Sequence, residues 1–253
     1  MCHDPESRPP APPQATATVV ERGGLTLTSA DGTDLDAAIA VPDAAGRRGA
    51  GVVLLPDIRG LHPFYVALAE RFAEAGYPTI AIDYFARTAG RAEGGVRGGD
   101  FDHRAHVPRT TPDGIDADTA AAVTHLRGRT TAELPVLSIG FCFGGSQAWR
   151  QSAGNLPLAA VAGFYGKPSV VGESAARRPV LMLIAGSDAA TPVADQLALA
   201  DGLRAGGADV ETAVYDGAPH SFFDRAATEW AQASADAWRR MLALLDRVAV
   251  GSN

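Results

Sequence analysis

Between Leu25 and Val41 apolar and polar residues alternate in two stretches, Leu25 to Ser29 and Leu35 to Val41. That is the period of a strand with one buried face. Ala30-Asp31-Gly32-Thr33 separates the two stretches, and an Asp-Gly pair favours a tight hairpin turn, so the fold is expected to start antiparallel. The pattern then changes. Short apolar runs at Gly51 to Leu55, Thr79 to Ile82, Val136 to Ile139, Ala159 to Phe164 and Val180 to Ala185 alternate with helix-like segments. Short unbroken apolar runs suit strands covered on both faces, which predicts the α/β class: a mostly parallel central sheet, antiparallel N-terminal strands and crossover helices on both faces.

The helices announce themselves by stripe and cap. His62 opens the first, which carries Tyr65, Leu68, Ala69 and Phe72 on one side and stops at Gly76. Thr111 and Pro112 are cap and first residue of a second, followed by Ile115, Val123 and Leu126, with His125 also within it. Thr191-Pro192 starts another by the same chemistry, and Trp238, Met241, Leu242, Leu245 and Val248 give a long C-terminal helix its buried side. Proline crowds residues 5–15, so residues 1–18 are expected as an extended arm ahead of one α/β domain over 19–250. From 87 to 111 the chain is rich in Gly, Arg, Asp and His without an apolar period. That reads as a long loop, either a lid or a surface insertion. There is no internal repeat.

At 253 residues and 46% hydrophobic content, the chain can bury a core of single-domain size. Twenty-two basic against 29 acidic residues leave a net charge of -7, so no global positive field gathers nucleic acid or an anionic membrane, and a small-molecule partner is favoured. Nothing in the composition fixes an oligomeric state. Cys2 and Cys142 are the only cysteines, too few for a disulfide framework and suited to a reducing compartment, so a cytoplasmic location is expected. Met1 to Glu6 has neither a basic start nor an apolar stretch, and no run reaches the roughly 18 apolar residues of a membrane helix, so neither export nor anchoring is expected.

The strongest chemical signal is Ser138-Ile139-Gly140-Phe141-Cys142-Phe143-Gly144-Gly145, a strand entering a Gly-x-Cys-x-Gly turn and then a helix. This is the thiol form of a nucleophile elbow. Glycines permit the strained turn and close helix–strand approach, and the helix N-terminus favours thiolate at Cys142. A buried cysteine packing as a small hydrophobe is the plainer alternative. The partners follow in the order nucleophile, acid, histidine: Asp188 just past the Val180 to Ala185 run, and His220 in a loop before the last helix. Alone, each could be an ordinary turn residue; together they suit a triad. Asp102, His103 and His106 have only a weak ligand spacing, and Cys2 and His3 read as a frayed tail rather than copper or nickel ligands, so no metal is expected.

With these motifs, Gly186-Ser187-Asp188 and Gly217-Ala218-Pro219-His220-Ser221-Phe222, the chain resembles the dienelactone hydrolase family from about Leu25 to Val248. The resemblance implies an α/β-hydrolase fold, a triad of Cys142, His220 and Asp188, and no cofactor. Founding members of that family open the lactone ring of dienelactones. Leu55 to Gly60 is similar to the family loop in which a glutamate meets the resting thiol. Asp57 stands there, one methylene shorter, and the amides of Ile58 and Phe143 are the implied oxyanion donors. Asp83-Tyr84-Phe85-Ala86-Arg87 resembles the segment bearing one substrate-carboxylate arginine, which implies Arg87. At the step after the histidine where the family has a second arginine, this chain has Asp224, with Arg225 one residue late. Arg59, Arg225, Tyr84 and Phe222 complete the expected substrate contacts. The reaction expected is hydrolysis of a small ester or lactone through a thioester. A non-catalytic ligand receptor on a hydrolase scaffold, and a peptidase or C–C hydrolase with the same triad, are the alternatives.

Overall fold

The computed structural model describes residues 7–172, 176–224 and 226–251; Cys2, His3 and Arg225 lie outside these. Eight strands form one sheet: β1 Val19–Thr28, β2 Asp34–Pro42, β3 Gly51–Leu55, β4 Thr79–Ile82, β5 Val136–Phe141, β6 Ala160–Phe164, β7 Val180–Ala185 and β8 Val210–Tyr215. Their order is β1-β2-β4-β3-β5-β6-β7-β8. β1 pairs antiparallel with β2 and β2 with β4, while every pairing from β4 to β8 is parallel. The expected hairpin is present: Leu25 faces Ala37, and the turn closes through Ser29 N–H to Thr33 O at 2.9 Å.

Successive residues of a strand point to opposite faces, and here both faces are apolar. Val52, Leu54, Leu137 and Ile139 pack under α1 (Pro63–Glu74) and α7 (Ala231–Val250), against Phe64, Leu68, Phe72, Trp238 and Met241. Val53, Leu55 and Val136 face the other way, onto Ile115, Val123 and Leu126 of α4 (Pro112–Arg129), Trp149 of α5 (Phe143–Gln151) and Ala200 of α6 (Val193–Ala205). This two-sided burial is why the strands read as unbroken apolar runs. β8 gave no such run because it is an edge strand, with Ala213 its one buried residue.

The caps follow the sequence closely. The His62 ring accepts from Phe64 N–H at 3.3 Å, and Thr111 Oγ1 accepts from Gly114 N–H at 3.2 Å. Thr191 differs: α6 begins at Val193 after Pro192, and the Thr191 hydroxyl donates to Asp188 at 2.5 Å.

Residues 87–111 are more ordered than a plain loop. They include the end of α2 (Ala86–Ala89), α3 (His103–His106) and single 3-10 turns at Glu93–Gly95 and Val107–Arg109. Polar anchors replace an apolar stripe here. Arg97 Nη2 meets the buried Asp83 carboxylate at 2.8 Å, Arg91 meets Asp36 at 2.8 Å, and Phe101 packs on Phe85 at 5.1 Å. The proline-rich arm is likewise seated. Ser7 and Pro9 are buried, Pro10 O accepts from the Trp238 indole at 3.1 Å, and Thr16 and Ala17 N–H donate to Glu74 O. Among the described residues no helix is long and apolar enough to cross a membrane.

Candidate active site

At the end of β5 the backbone turns through Cys142, with φ 54° and ψ -110°, and α5 begins at the next residue. The flanking glycines are steric necessities. A Cβ on Gly140 would overlap the Gly144 carbonyl, and one on Gly144 would overlap the carbonyls of Leu55 and Pro56. The turn is therefore wedged between β3 and β6, and it holds a half-buried thiol there. Cys142 N–H donates to Phe164 O at 3.0 Å, while its carbonyl accepts from Ser146 N–H at 3.0 Å and Ser146 Oγ at 3.1 Å. Among the described residues three non-glycine residues have positive φ: Cys142, Tyr165 at 38° and Ser221 at 63°. Such backbone costs about 1–3 kcal/mol each and concentrates at functional sites; here one lies at the elbow, one under the histidine and one beside it.

Asp188 and His220 follow adjacent parallel strands. β7 runs into Gly186-Ser187-Asp188 and β8 into Asp216-Gly217-Ala218-Pro219-His220, and Ser187 N–H to Ala218 O at 2.8 Å ties the two loops. His220 Nδ1 lies 2.5 Å from Asp188 Oδ2. Asp188 also accepts from Ala190 N–H at 2.8 Å, Thr191 N–H at 3.2 Å and Thr191 Oγ1 at 2.5 Å. Burial alone would raise the Asp188 carboxyl, but the hydrogen bonds from His220 and Thr191 outweigh it and hold the group below the ordinary aspartate range. The His220 ring packs on Tyr165 with centroids 4.7 Å apart. Tyr165 directly follows Phe164, whose carbonyl receives the Cys142 amide, so thiol and imidazole both flank the end of β6.

The loop after β3 is braced from every side. Tyr84 Oη donates to Pro56 O, Tyr65 Oη accepts from Asp57 N–H at 3.0 Å, and Gly60 N–H returns to Asp57 O at 3.0 Å. Among the described residues neither the Ile58 nor the Phe143 amide donates a hydrogen bond. They belong to the two segments that Gly144 presses together.

The structure gives other surroundings to the expected substrate contacts. Tyr84 and Phe222 are 1% and 0% exposed, so they shape the site from beneath; Phe222 lies among Phe164, Tyr165 and Tyr215. Arg87 turns its fork to Asp31 at 2.6 Å and to Asp118 at 2.8 Å, which departs from the expected role of binding a substrate carboxylate. Arg59 is buried against Asp57 and Asp224. Asp57 accepts from Arg59 Nε with both carboxylate oxygens, at 3.1 and 3.0 Å. Burial, reinforced by the nearby Asp57, pushes Asp224 up to about 6 against the pull of Arg59 and Ser7. Sequence reasoning missed Tyr165, Thr191, Tyr65 and Ser7. Of these only Thr191 carried a signal, since a threonine three residues after an acid can cap the acid as well as a helix. Among the described residues no three His, Cys, Asp or Glu side chains gather closely enough to hold a metal ion.

Comparison with known proteins adds lineage to this geometry. The model of the dienelactone hydrolase family matches residues 35–249. A Yersinia pestis protein named "Putative carboxymethylenebutenolidase" is 30% identical over 237 residues, covering 87% of this chain and 86% of its own. A carboxymethylenebutenolidase of Rhodococcus opacus is 29% identical over 199 residues, covering 75% of this chain and 68% of its own. Among solved structures, a "Putative Dienelactone Hydrolase" from Klebsiella pneumoniae aligns with a TM-score of 0.71 at 26% identity, over 88% of this chain and 98% of that one.

Proposed function

We infer that this chain, which belongs to the dienelactone hydrolase family and has its α/β-hydrolase fold, hydrolyses a small ester or lactone with Cys142 as nucleophile, His220 as base and Asp188 as the orienting acid. The observation that carries the reading is the 2.5 Å contact between His220 and Asp188 beside a strained cysteine at a strand–helix elbow.

With Nδ1–H donated to Asp188, Nε2 of His220 is the basic nitrogen. It takes the thiol proton as Cys142 Sγ bonds to the substrate carbonyl carbon, and the carbonyl π pair moves to oxygen. The Ile58 and Phe143 amides accept that oxyanion as hydrogen-bond donors, in a site where each such donor contributes about 2.7–4 kcal/mol to the transition state. Collapse re-forms the carbonyl and breaks the C–O bond. The imidazolium protonates the leaving alkoxide, which in a lactone stays tethered as the ω-hydroxyl of the acyl group. Water, deprotonated by the same nitrogen, then attacks the thioester, and Cys142 leaves as the acid forms. The relatives named carboxymethylenebutenolidase support a lactone as substrate class.

The test is hydrolysis of nitrophenyl esters and five-membered lactones by wild type and Cys142→Ala, with mass spectrometry of quenched wild-type reactions. Turnover that vanishes in the variant, together with an acyl adduct on Cys142, is the expected result. Undiminished turnover in the variant would refute the assignment.

A further inference from the structure

Two loops that this chemistry needs meet at one side chain. Arg59 follows Ile58 directly, and Asp224 lies four residues after His220, in a turn closed by Asp224 N–H to Ser221 O at 3.1 Å. The Arg59 guanidinium, 4% exposed, bridges them. Its Nε donates to Asp57, its Nη2 reaches Asp57 at 2.8 Å and also Asp224, and its Nη1 donates to Ser7 Oγ at 3.3 Å. The rings of Phe64 and Tyr65 cover it at 5.5 and 5.7 Å. Asp224 is faced by Asp57 and Arg59 from the loop after β3, by Ser7 from the arm, and by Tyr65 of α1 and Tyr165 at the end of β6.

We propose that Arg59 is a positioning residue that holds the Ile58 loop in register with the His220 loop, and that Ser7 of the N-terminal arm completes the tie. The proposal rests on the hydrolase reading above. A guanidinium is planar and rigid, so two carboxylates on one fork fix each other's angle as well as distance, which a lysine point charge cannot do. A buried carboxylate–arginine–carboxylate group is weak support for stability, which leaves geometry as its stronger contribution. Oxyanion donor and base must be registered closely, since a misplacement of about 1 Å can cost on the order of a hundredfold in rate. The cation of this group comes from the loop after β3, and the acid four residues after His220 receives it.

The experiment measures kcat and KM for p-nitrophenyl acetate, and the rate of Cys142 alkylation by iodoacetamide, in Arg59→Lys, Ser7→Ala, Arg59→Met and the double variant Arg59→Met with Asp224→Arg. Each protein is checked for unchanged far-UV circular dichroism. The tie predicts that Arg59→Lys loses about tenfold or more in kcat with KM within about twofold, and that its alkylation rate shifts about threefold. Ser7→Ala loses about two- to fivefold in kcat, and the double variant, which supplies the cation from the His220 loop, exceeds Arg59→Met alone by about threefold. A folded Arg59→Lys with wild-type kcat overturns the proposal, and so does a raised KM with kcat intact, which would mean that Arg59 meets substrate. If Arg59→Lys does not fold, Ser7→Ala decides, and wild-type kcat and alkylation there overturn the tie. If wild type hydrolyses no ester, the hydrolase reading fails, while the alkylation rates still judge the tie separately.

Discussion

Replacing Asp224 with asparagine removes a charge that the fold tolerates at a cost. Two carboxylates, Asp57 and Asp224, share the single guanidinium of Arg59, and burial lifts Asp224 from 3.8 to about 6. Its Oδ1 is buried without a partner among the described residues, so the charged form is poorly compensated there and protonation removes the buried charge. Because the native value exceeds the unfolded one, the folded protein binds the extra proton between the two. Stability from this group therefore falls as pH rises from about 4 to about 6, and the loss is complete above that. A gap of about two units at about 1.4 kcal/mol each amounts to about 3 kcal/mol at neutral pH. Asparagine keeps the shape and can still accept from Arg59 Nη2 but gives up part of the ion pair, so a net gain of about 1–3 kcal/mol is expected at pH 7.5. For a chain of this length that raises Tm by about 3–10 °C. Urea unfolding of both proteins at pH 4.5, 6.0 and 7.5 reads it directly, with the advantage of Asp224→Asn shrinking towards zero at the acid end. A variant less stable than wild type at pH 7.5, or a difference that ignores pH, would refute the reasoning.

Asp188→Asn should cut kcat by about a thousandfold or more, since the imidazole loses its orienting partner. Because that carboxyl is held below its ordinary value, its stabilisation is present above the unfolded pKa and lost as pH falls through the folded one; the stability gap between wild type and variant should close below about pH 4, as urea titrations would show. Gly144→Ala drives a Cβ into the carbonyls of Leu55 and Pro56, so a loss of about 1–3 kcal/mol in chemical denaturation, with kcat falling as the Ile58 loop moves, is the expected outcome. Arg87→Ala should leave the ratio of kcat/KM for an acid-bearing lactone and its neutral analogue within about twofold of wild type, because Asp31 and Asp118 already occupy that fork. A collapse of that ratio would restore Arg87 to the substrate.

What the sequence made legible is what is local in it. The Asp31-Gly32 turn, the buried strands and the Gly140-x-Cys142-x-Gly144 elbow each rest on residues within a few positions of one another, and each lies where its pattern put it. The edge strand β8 lacks the two-sided burial that makes a strand readable. The helices within 87–111 are held by Asp36 and Asp83 from elsewhere in the chain rather than by a stripe of their own. The site's charge arrangement is the least local feature. Arg59 and Asp224 are 165 positions apart, and no periodicity could reveal that Asp224 completes a pairing begun by an arginine on another loop.

The seated arm also sets an order of assembly. Ser7 and Pro10 precede every strand, yet the groups they meet, Asp224 and Trp238, lie close to the far end of the chain, with 228 positions separating Pro10 from Trp238. On a ribosome the arm waits while all eight strands of the sheet are made, and Asp57 and Arg59 wait with it for their second acid. Contacts of such span close late, so the elbow, built from neighbouring residues, can form well before Ser7 and Pro10 settle against Asp224 and Trp238.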